Sequence, residues 1–227
     1  VLTTGADWKA LEDTPYKGNT PNMSSRQMNA QIDYDAQKMP EPLAWTKYGY
    51  DDSAWTAAVA ANAVTKTYKL RQQTIPEGAI HEEITPAAVG RQQAGYQVFD
   101  VGRIATGWVK LTASAPAGTR VCIRYSEDLK GDVVKHNVAN EGSETYCDYY
   151  TFSGSGEETF AADFDYKSFR YFEVVGLPEL ITVDNVTMQW ASTGVEYTAN
   201  FTSSDEMLNA IYDACINTQI NNLEGMP

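Results

Sequence analysis

An antiparallel β-sandwich of the jelly-roll or concanavalin-like kind, mainly β with one α-helix at its C-terminal end, is the fold this sequence predicts. Three observations carry that prediction. Between residues 96 and 176, short runs rich in aromatic and β-branched residues alternate with period two. Glycine, proline or serine stands at nearly every break between those runs. After Thr202 the apolar period lengthens to about 3.6 residues, the repeat of a helix.

The runs follow in order. Residues 96–100 alternate, and residues 107–113 form a second run behind Gly107. Pro116 and Gly118 mark a turn, after which residues 120–125 alternate again. Residues 145–152, a Ser153-Gly154-Ser155-Gly156 turn and residues 169–175 complete the series. Ahead of them, residues 74–95 contain Pro76, Gly78, Pro86 and Gly90 and read as a connector with one short extended piece. Residues 29–36 read as a strand, and residues 16–25 as loop. Residues 127–144, with His136, Asn137 and Asn140, read as one long polar loop, a length usually reserved for functional or mobile segments.

At the far end, Ser203 and Glu206 have the spacing of a capping box, in which each side chain satisfies a free amide of the other's turn. Leu208, Ile211, Tyr212, Cys215 and Leu223 mark an apolar stripe, and Gly225 and Pro227 end the helix. Such a stripe needs a partner surface, supplied either by the sandwich or by a further domain.

Composition narrows the function classes. The chain is 43% hydrophobic and 11% aromatic, enough for a packed core rather than a disordered segment. Seventeen basic against 30 acidic residues leave a net charge of −13, which argues against nucleic acid and anionic membranes as partners, because no cationic surface is there to displace phosphate counterions. No apolar run approaches the ~18 residues of a membrane span. The three cysteines lack Cys-x-x-Cys spacing, which disfavours zinc and dithiol chemistry. They read either as buried small hydrophobes or, for Cys122 and Cys147, as a disulfide if the strand register matches.

No residue is assigned a catalytic role. General acid–base hydrolysis uses a pair of carboxylates, but among 30 acidic residues a suitably spaced pair arises by chance. Glu127, Asp148 and Glu173 lie in strand patterns and read as solvated acids. His81 and His136, the two histidines, stand in no nucleophile motif. The candidate binding residues are Trp45 and Trp55, whose rings suit stacking on a sugar, and Asp51 and Asp52, whose carboxylates suit calcium.

A set of motifs in one order resembles a known family. Phe99-Asp100-Val101-Gly102 precedes Gly107-Trp108-Val109-Lys110-Leu111; Pro116-Ala117-Gly118-Thr119 precedes Ile123-Arg124-Tyr125-Ser126-Glu127. Asp148-Tyr149-Tyr150-Thr151-Phe152-Ser153-Gly154, Phe169-Arg170-Tyr171-Phe172-Glu173-Val174 and Phe201-Thr202-Ser203-Ser204-Asp205 follow. Together they are similar to the bacterial α-L-rhamnosidases of the glycoside hydrolase family 78 type. Arg103-Ile104 departs from the Gln-Asn that the family commonly carries there.

The resemblance implies an N-terminal accessory β-sandwich region preceding an (α/α)6 catalytic domain. Residues 1–75 would then be the C-terminal part of an accessory jelly roll, 76–202 the β-sandwich, and 203–227 a linker helix with Leu208, Ile211, Tyr212, Cys215 and Leu223 packing between domains. It likens Tyr50-Asp51-Asp52-Ser53-Ala54-Trp55 to a turn whose aspartates accept backbone amides while the Trp enters the core. The implied activity is inverting hydrolysis of terminal α-L-rhamnose from plant glycans or glycosides, in an extracellular or periplasmic setting, with the catalytic carboxylates beyond Pro227. The implied partners are the chain's own catalytic domain and carbohydrate, with calcium as a possible cofactor. A stand-alone carbohydrate-binding module and a purely structural domain are the alternatives.

Overall fold

The computed structural model describes residues 5–12, 14–21, 31–39, 44–59, 71–135, 146–162, 164–196 and 198–223. In chain order its strands are β1 Lys9–Ala10, β2 Asp33–Asp35, β3 Thr56–Ala57, β4 Gly78–Ile84, β5 Ala87–Gln93, β6 Tyr96–Ser114, β7 Arg120–Ser126, β8 Leu129–Lys130, β9 Val133–Val134, β10 Cys147–Thr151, β11 Glu157–Phe160, β12 Lys167–Val175 and β13 Val186–Thr193, followed by the helix α1 Glu206–Asn221. Among the described residues, nine strands form one curled sheet in the order β2-β10-β7-β12-β6-β13-β4, with β5 and β11 as further partners of β6.

The curl is built on β6. Its first part pairs with β12 and β5, whereas its last part pairs with β13 and β11. One strand therefore serves both layers, and the core fills the space between them. Phe99 stacks on Phe172 with ring centroids 5.1 Å apart, and Leu111, Val186 and Met188 join the same cluster from the other end of β6 and from β13. On β7, Val121, Ile123 and Tyr125 share one buried face, and on the other face Cys122 and Ser126 are buried while Arg124 is half-buried.

Gly107 lets β6 and β13 approach closely. Its φ is +150°, and a Cβ there would meet the Gln189 carbonyl oxygen at 2.0 Å. The Gly-Trp pair at positions 107 and 108 is thus a backbone-contact requirement, with Trp108 Nε1 donating to Gln189 Oε1 at 2.7 Å beside it.

Three expectations are corrected. Residues 96–100 and 107–113 are one 19-residue strand rather than two, because Gly102 and Gly107 bend the strand without ending it. The connector expected over residues 74–95 holds two seven-residue strands, β4 and β5. Both are largely exposed, so neither shows the apolar alternation that marks a half-buried strand. The polar loop expected from residue 127 begins with the β8–β9 hairpin, in which Leu129 pairs with Val134; His136, Asn137 and Asn140 lie outside the described residues.

The N-terminal segment reaches into the sheet. β2 pairs in parallel with β10, Tyr149 opposite Asp33, and Tyr16 bridges to Tyr34. The strand expected over residues 29–36 is thus seen at Asp33–Asp35, with Asn29 and Ala30 outside the described residues. β1 and β3 form a separate two-stranded ribbon.

Candidate functional site

Trp45 lies in a short 3-10 turn, Ala44–Thr46. Trp55 follows a turn in which Ser53 N donates to Asp51 Oδ1 at 3.0 Å and Trp55 N donates to the Asp52 carbonyl at 3.0 Å. The Ser53 hydrogen bonds hold the Asp51 carboxyl below its ordinary range. Asp52 Oδ1 accepts from Lys9 Nζ at 2.7 Å, tying the turn to β1. The two aspartates are therefore engaged in closing the turn, and no cluster of three or more His, Cys, Asp or Glu residues suited to a metal occurs among the described residues.

The turn delivers Trp55, half-buried, to a pocket of ≈ 280 Å³ that Trp45 also lines, with Leu11, Tyr16, Tyr34 and Phe164. The structure thus brings together the two tryptophans singled out as binding candidates, and leaves Asp51 and Asp52 off the lining. Tyr16 stands edge-on to both Tyr34 (5.0 Å) and Phe164 (5.2 Å), which fixes the pocket wall. Beyond that wall runs a polar groove of ≈ 240 Å³ lined by Lys17, Asp33, Asp35, Lys38 and Arg120. Arg120 Nη2 donates to Asp33 Oδ2 at 2.9 Å while its guanidinium lies 3.6 Å from the centre of the Tyr149 ring.

A second polar cluster is closed to solvent. Lys167 Nζ donates to Asp148 Oδ2 at 2.6 Å and pairs with Asp165 Oδ2 at 3.0 Å; the Lys167 and Asp148 side chains are fully buried. Asp148 also accepts from the Tyr125 hydroxyl at 2.8 Å and from Ile32 N at 3.0 Å, which ties the N-terminal segment to the sandwich. Burial raises the Asp165 carboxyl above its ordinary range, against the pull of Lys167. Glu173 is buried too, on the other sheet face, accepting from Arg124 Nη1 at 2.9 Å and from the Tyr96 hydroxyl. Asp148 and Glu173 are therefore structural ion-pair members, not the solvated acids their strand positions suggested; Glu127 is exposed.

The cysteines are free. Cys122 and Cys147 are buried, and Cys147 Sγ accepts from Gln31 Nε2 at 3.0 Å. Cys147 faces Arg124 across the ladder and Cys122 faces Tyr149, so the two thiols are diagonal neighbours rather than directly opposed. His81 Nε2 lies 2.7 Å from Ser192 Oγ and its ring packs beside Trp190, but Ser192 is buried, so its hydroxyl is closed to a substrate.

Helix α1 carries the remaining candidates. Its N-cap is Asp205, whose carboxylate accepts from Met207 N and Leu208 N; Ser203 instead donates to the Asp205 carbonyl and accepts from Asp205 N. The expected Ser203–Glu206 box is replaced by a cap two residues later, at Asp205, whose negative charge lies at the positive end of the helix dipole with two amides in reach. The helix touches the sandwich through its last turns. Asn221 Oδ1 accepts from Thr106 N (3.1 Å) and Trp190 Nε1 (2.9 Å), Asn221 Nδ2 donates to the Ile104 carbonyl (3.0 Å), and Thr106 Oγ1 donates to the Asn221 carbonyl (3.0 Å). Ile220 is buried beside it, and Leu223 accepts a hydrogen bond from Thr193 N.

The rest of the stripe faces away from the core. Leu208 is 49% exposed and Ile211 52%, Cys215 is exposed, and Tyr212 is half-buried against Phe201. Asn221 and Asn217 were not singled out from the sequence. Their i, i+4 spacing on one helix face was the available signal, with both amides donating to the Ile104 carbonyl.

A family model described as the bacterial alpha-L-rhamnosidase concanavalin-like domain matches residues 90–192. An alpha-L-rhamnosidase of Streptomyces avermitilis is 32% identical over 226 residues, covering 100% of this chain and 21% of the relative. One of Formosa agariphila is 25% identical over 227 residues, covering 98% and 23%. The crystal structure of the Streptomyces avermitilis alpha-L-rhamnosidase complexed with L-rhamnose superposes with a TM-score of 0.83 at 31% identity, over 100% of this chain and 21% of that one. The chain spans about a fifth of the length of the curated relatives it matches. Residues 90–192, on the sandwich built around β6, match the concanavalin-like domain of the bacterial alpha-L-rhamnosidases, and the whole chain is similar to one segment of those longer proteins.

Proposed function

We propose that this chain is the non-catalytic β-sandwich portion of an α-L-rhamnosidase, which scaffolds a separate catalytic domain. The observation that carries the reading is α1: its C-terminal turn is fixed to β6 and β13 through Asn221, while Leu208, Ile211 and Cys215 point away from the sandwich. An apolar stripe held at a fixed angle by buried hydrogen bonds is a seat for a following domain. The length of the relatives, about five times that of this chain, supports a large partner domain. Three of the acids that the fold buries, Asp148, Asp165 and Glu173, are taken up by Lys167 and Arg124, which leaves them no role in bond cleavage.

On this reading the longer protein removes terminal α-L-rhamnose from plant glycans or glycosides by an inverting mechanism, its general acid and base lying outside residues 1–227. The test is an assay of the purified 227-residue chain, and of a longer protein carrying it, on an aryl α-L-rhamnoside. Release by the longer protein alone, with the sugar product first appearing as the β-anomer, is the expected result. Turnover by the 227-residue chain overturns the reading.

A further inference from the structure

We infer that the aromatic pocket and the groove beside it form one bipartite binding site for an aryl glycoside, with the aromatic aglycone in the pocket and the sugar in the groove. The inference takes only the identity of the sugar from the function proposed above; the aryl-glycoside class comes from the site itself.

Three features point to that class. First, the ≈ 280 Å³ pocket is lined by side chains such as Leu11, Trp45, Trp55 and Phe164, which offer ring faces and aliphatic carbon with few polar partners. A bare sugar seated there would bury hydroxyls without hydrogen-bond partners, whereas a flat aromatic ring loses nothing by the transfer. Second, Thr14, Pro15 and Tyr16 line both the pocket and the ≈ 240 Å³ groove, so the two cavities share a wall. Third, the groove has the opposite chemistry: Lys17, Asp33, Asp35, Lys38 and Arg120 offer donors and acceptors for a hydroxylated ring. An apolar body with a polar head is the ligand that such a pair of neighbours accepts together.

The rings are also available. Trp45 is 46% exposed and Phe164 68%, so their faces are not consumed by the core. Arg120 is held in place by Asp33 and by the Tyr149 ring, and a guanidinium fixed at one end presents its remaining N–H groups in a set direction. Recognition of both ends would let a non-catalytic module hold small plant rhamnosides that a purely sugar-binding surface would pass over.

Calorimetric titration of the 227-residue chain with p-nitrophenyl α-L-rhamnopyranoside, methyl α-L-rhamnopyranoside and p-nitrophenol tests the site. The aryl glycoside is expected to bind about tenfold or more tighter than either part alone. Trp45→Ala should bring it down to the level of the methyl glycoside, and Arg120→Ala should weaken both glycosides and leave p-nitrophenol unchanged. Phe164→Ala, at an exposed position whose loss leaves the core intact, should lower aryl affinity with an unchanged melting temperature. Equal affinity for the methyl and aryl glycosides, or no heat with any of the three, overturns the inference. Equal binding of p-nitrophenyl β-D-glucopyranoside supports the aryl site while counting against the rhamnoside reading, so the two fail separately.

Discussion

Lys167 Nζ lies 2.6 Å from Asp148 Oδ2, with neither side chain reaching solvent. The pair joins the start of β12 to β10 inside the sandwich, and Asp148 passes the contact on to Ile32 N. One buried cation thereby connects the C-terminal half of the sheet with the segment that forms the pocket wall. Removing the cation leaves Asp148 and Asp165 facing each other without compensation. Lys167→Met is expected to cost about 3–5 kcal/mol in urea denaturation. A loss below about 1 kcal/mol would show that the two carboxylates find protons or water at little cost.

Glu158 predicts the acid limb of stability. Burial pushes its carboxyl up, but Ser153 N, the Tyr150 hydroxyl and Gly154 N together outweigh burial and hold it below its ordinary value of 4.5. A group depressed in the folded state stabilises above its unfolded pKa, and that contribution is lost as pH falls through the folded value. Glu158→Gln should therefore cost about 1–3 kcal/mol at neutral pH, and the gap to the parent should narrow below about pH 4. Urea midpoints measured across that range check the sign; a gap that widens on acidification contradicts it.

Asp165 acts in the opposite direction. Its carboxyl is raised by burial, so the folded state takes up its proton before the unfolded chain does. Mild acidification through the ordinary carboxylate range should relieve its destabilising charge. Asp165→Asn is expected to flatten that part of the stability profile, as read from melting temperature against pH.

Asn221 accepts from Thr106 N and Trp190 Nε1 and donates to the Ile104 carbonyl, 117 residues away in sequence. Asn221→Ala strands Thr106 N and Trp190 Nε1 and should cost about 1–3 kcal/mol. Hydrogen exchange should accelerate along α1 first, with the β7–β12 ladder unchanged. Uniform acceleration would mean that the helix is not an independent unit.

Gly107→Ala tests the close approach of β6 and β13. With φ at +150° and a carbonyl oxygen 2.0 Å from the new Cβ, the backbone must shift, at a cost of about 1–3 kcal/mol or more. A melting temperature equal to that of the parent would contradict the geometry.

Much of the fold was legible because the evidence for it is local. The aromatic and β-branched runs at residues 120–125 and 169–175 mark β7 and β12, and the change of period after Thr202 marks α1. β4 and β5 were hidden because exposed strands need no apolar alternation. The continuity of β6 was hidden because a glycine that bends a strand has the same letter as one that ends it.

The sites divide the same way. Trp45 and Trp55 were legible as exposed-capable aromatics, but their meeting with Tyr16 and Phe164 depends on β2 joining β10, a non-local pairing. Asp148 and Glu173 looked solvated because their neutralising partners, Lys167 and Arg124, lie 19 and 49 residues away. Asn221 carried too little local signal to stand out.

Cys215 offers the most direct measurement on the central claim that α1 seats a catalytic domain. It is exposed on the outward stripe, while Cys122 and Cys147 are buried and serve as internal controls. Maleimide labelling followed by peptide mass spectrometry should modify Cys215 rapidly in the 227-residue chain and protect it in a longer protein carrying the catalytic domain. Equal labelling of Cys215 in both would contradict the account.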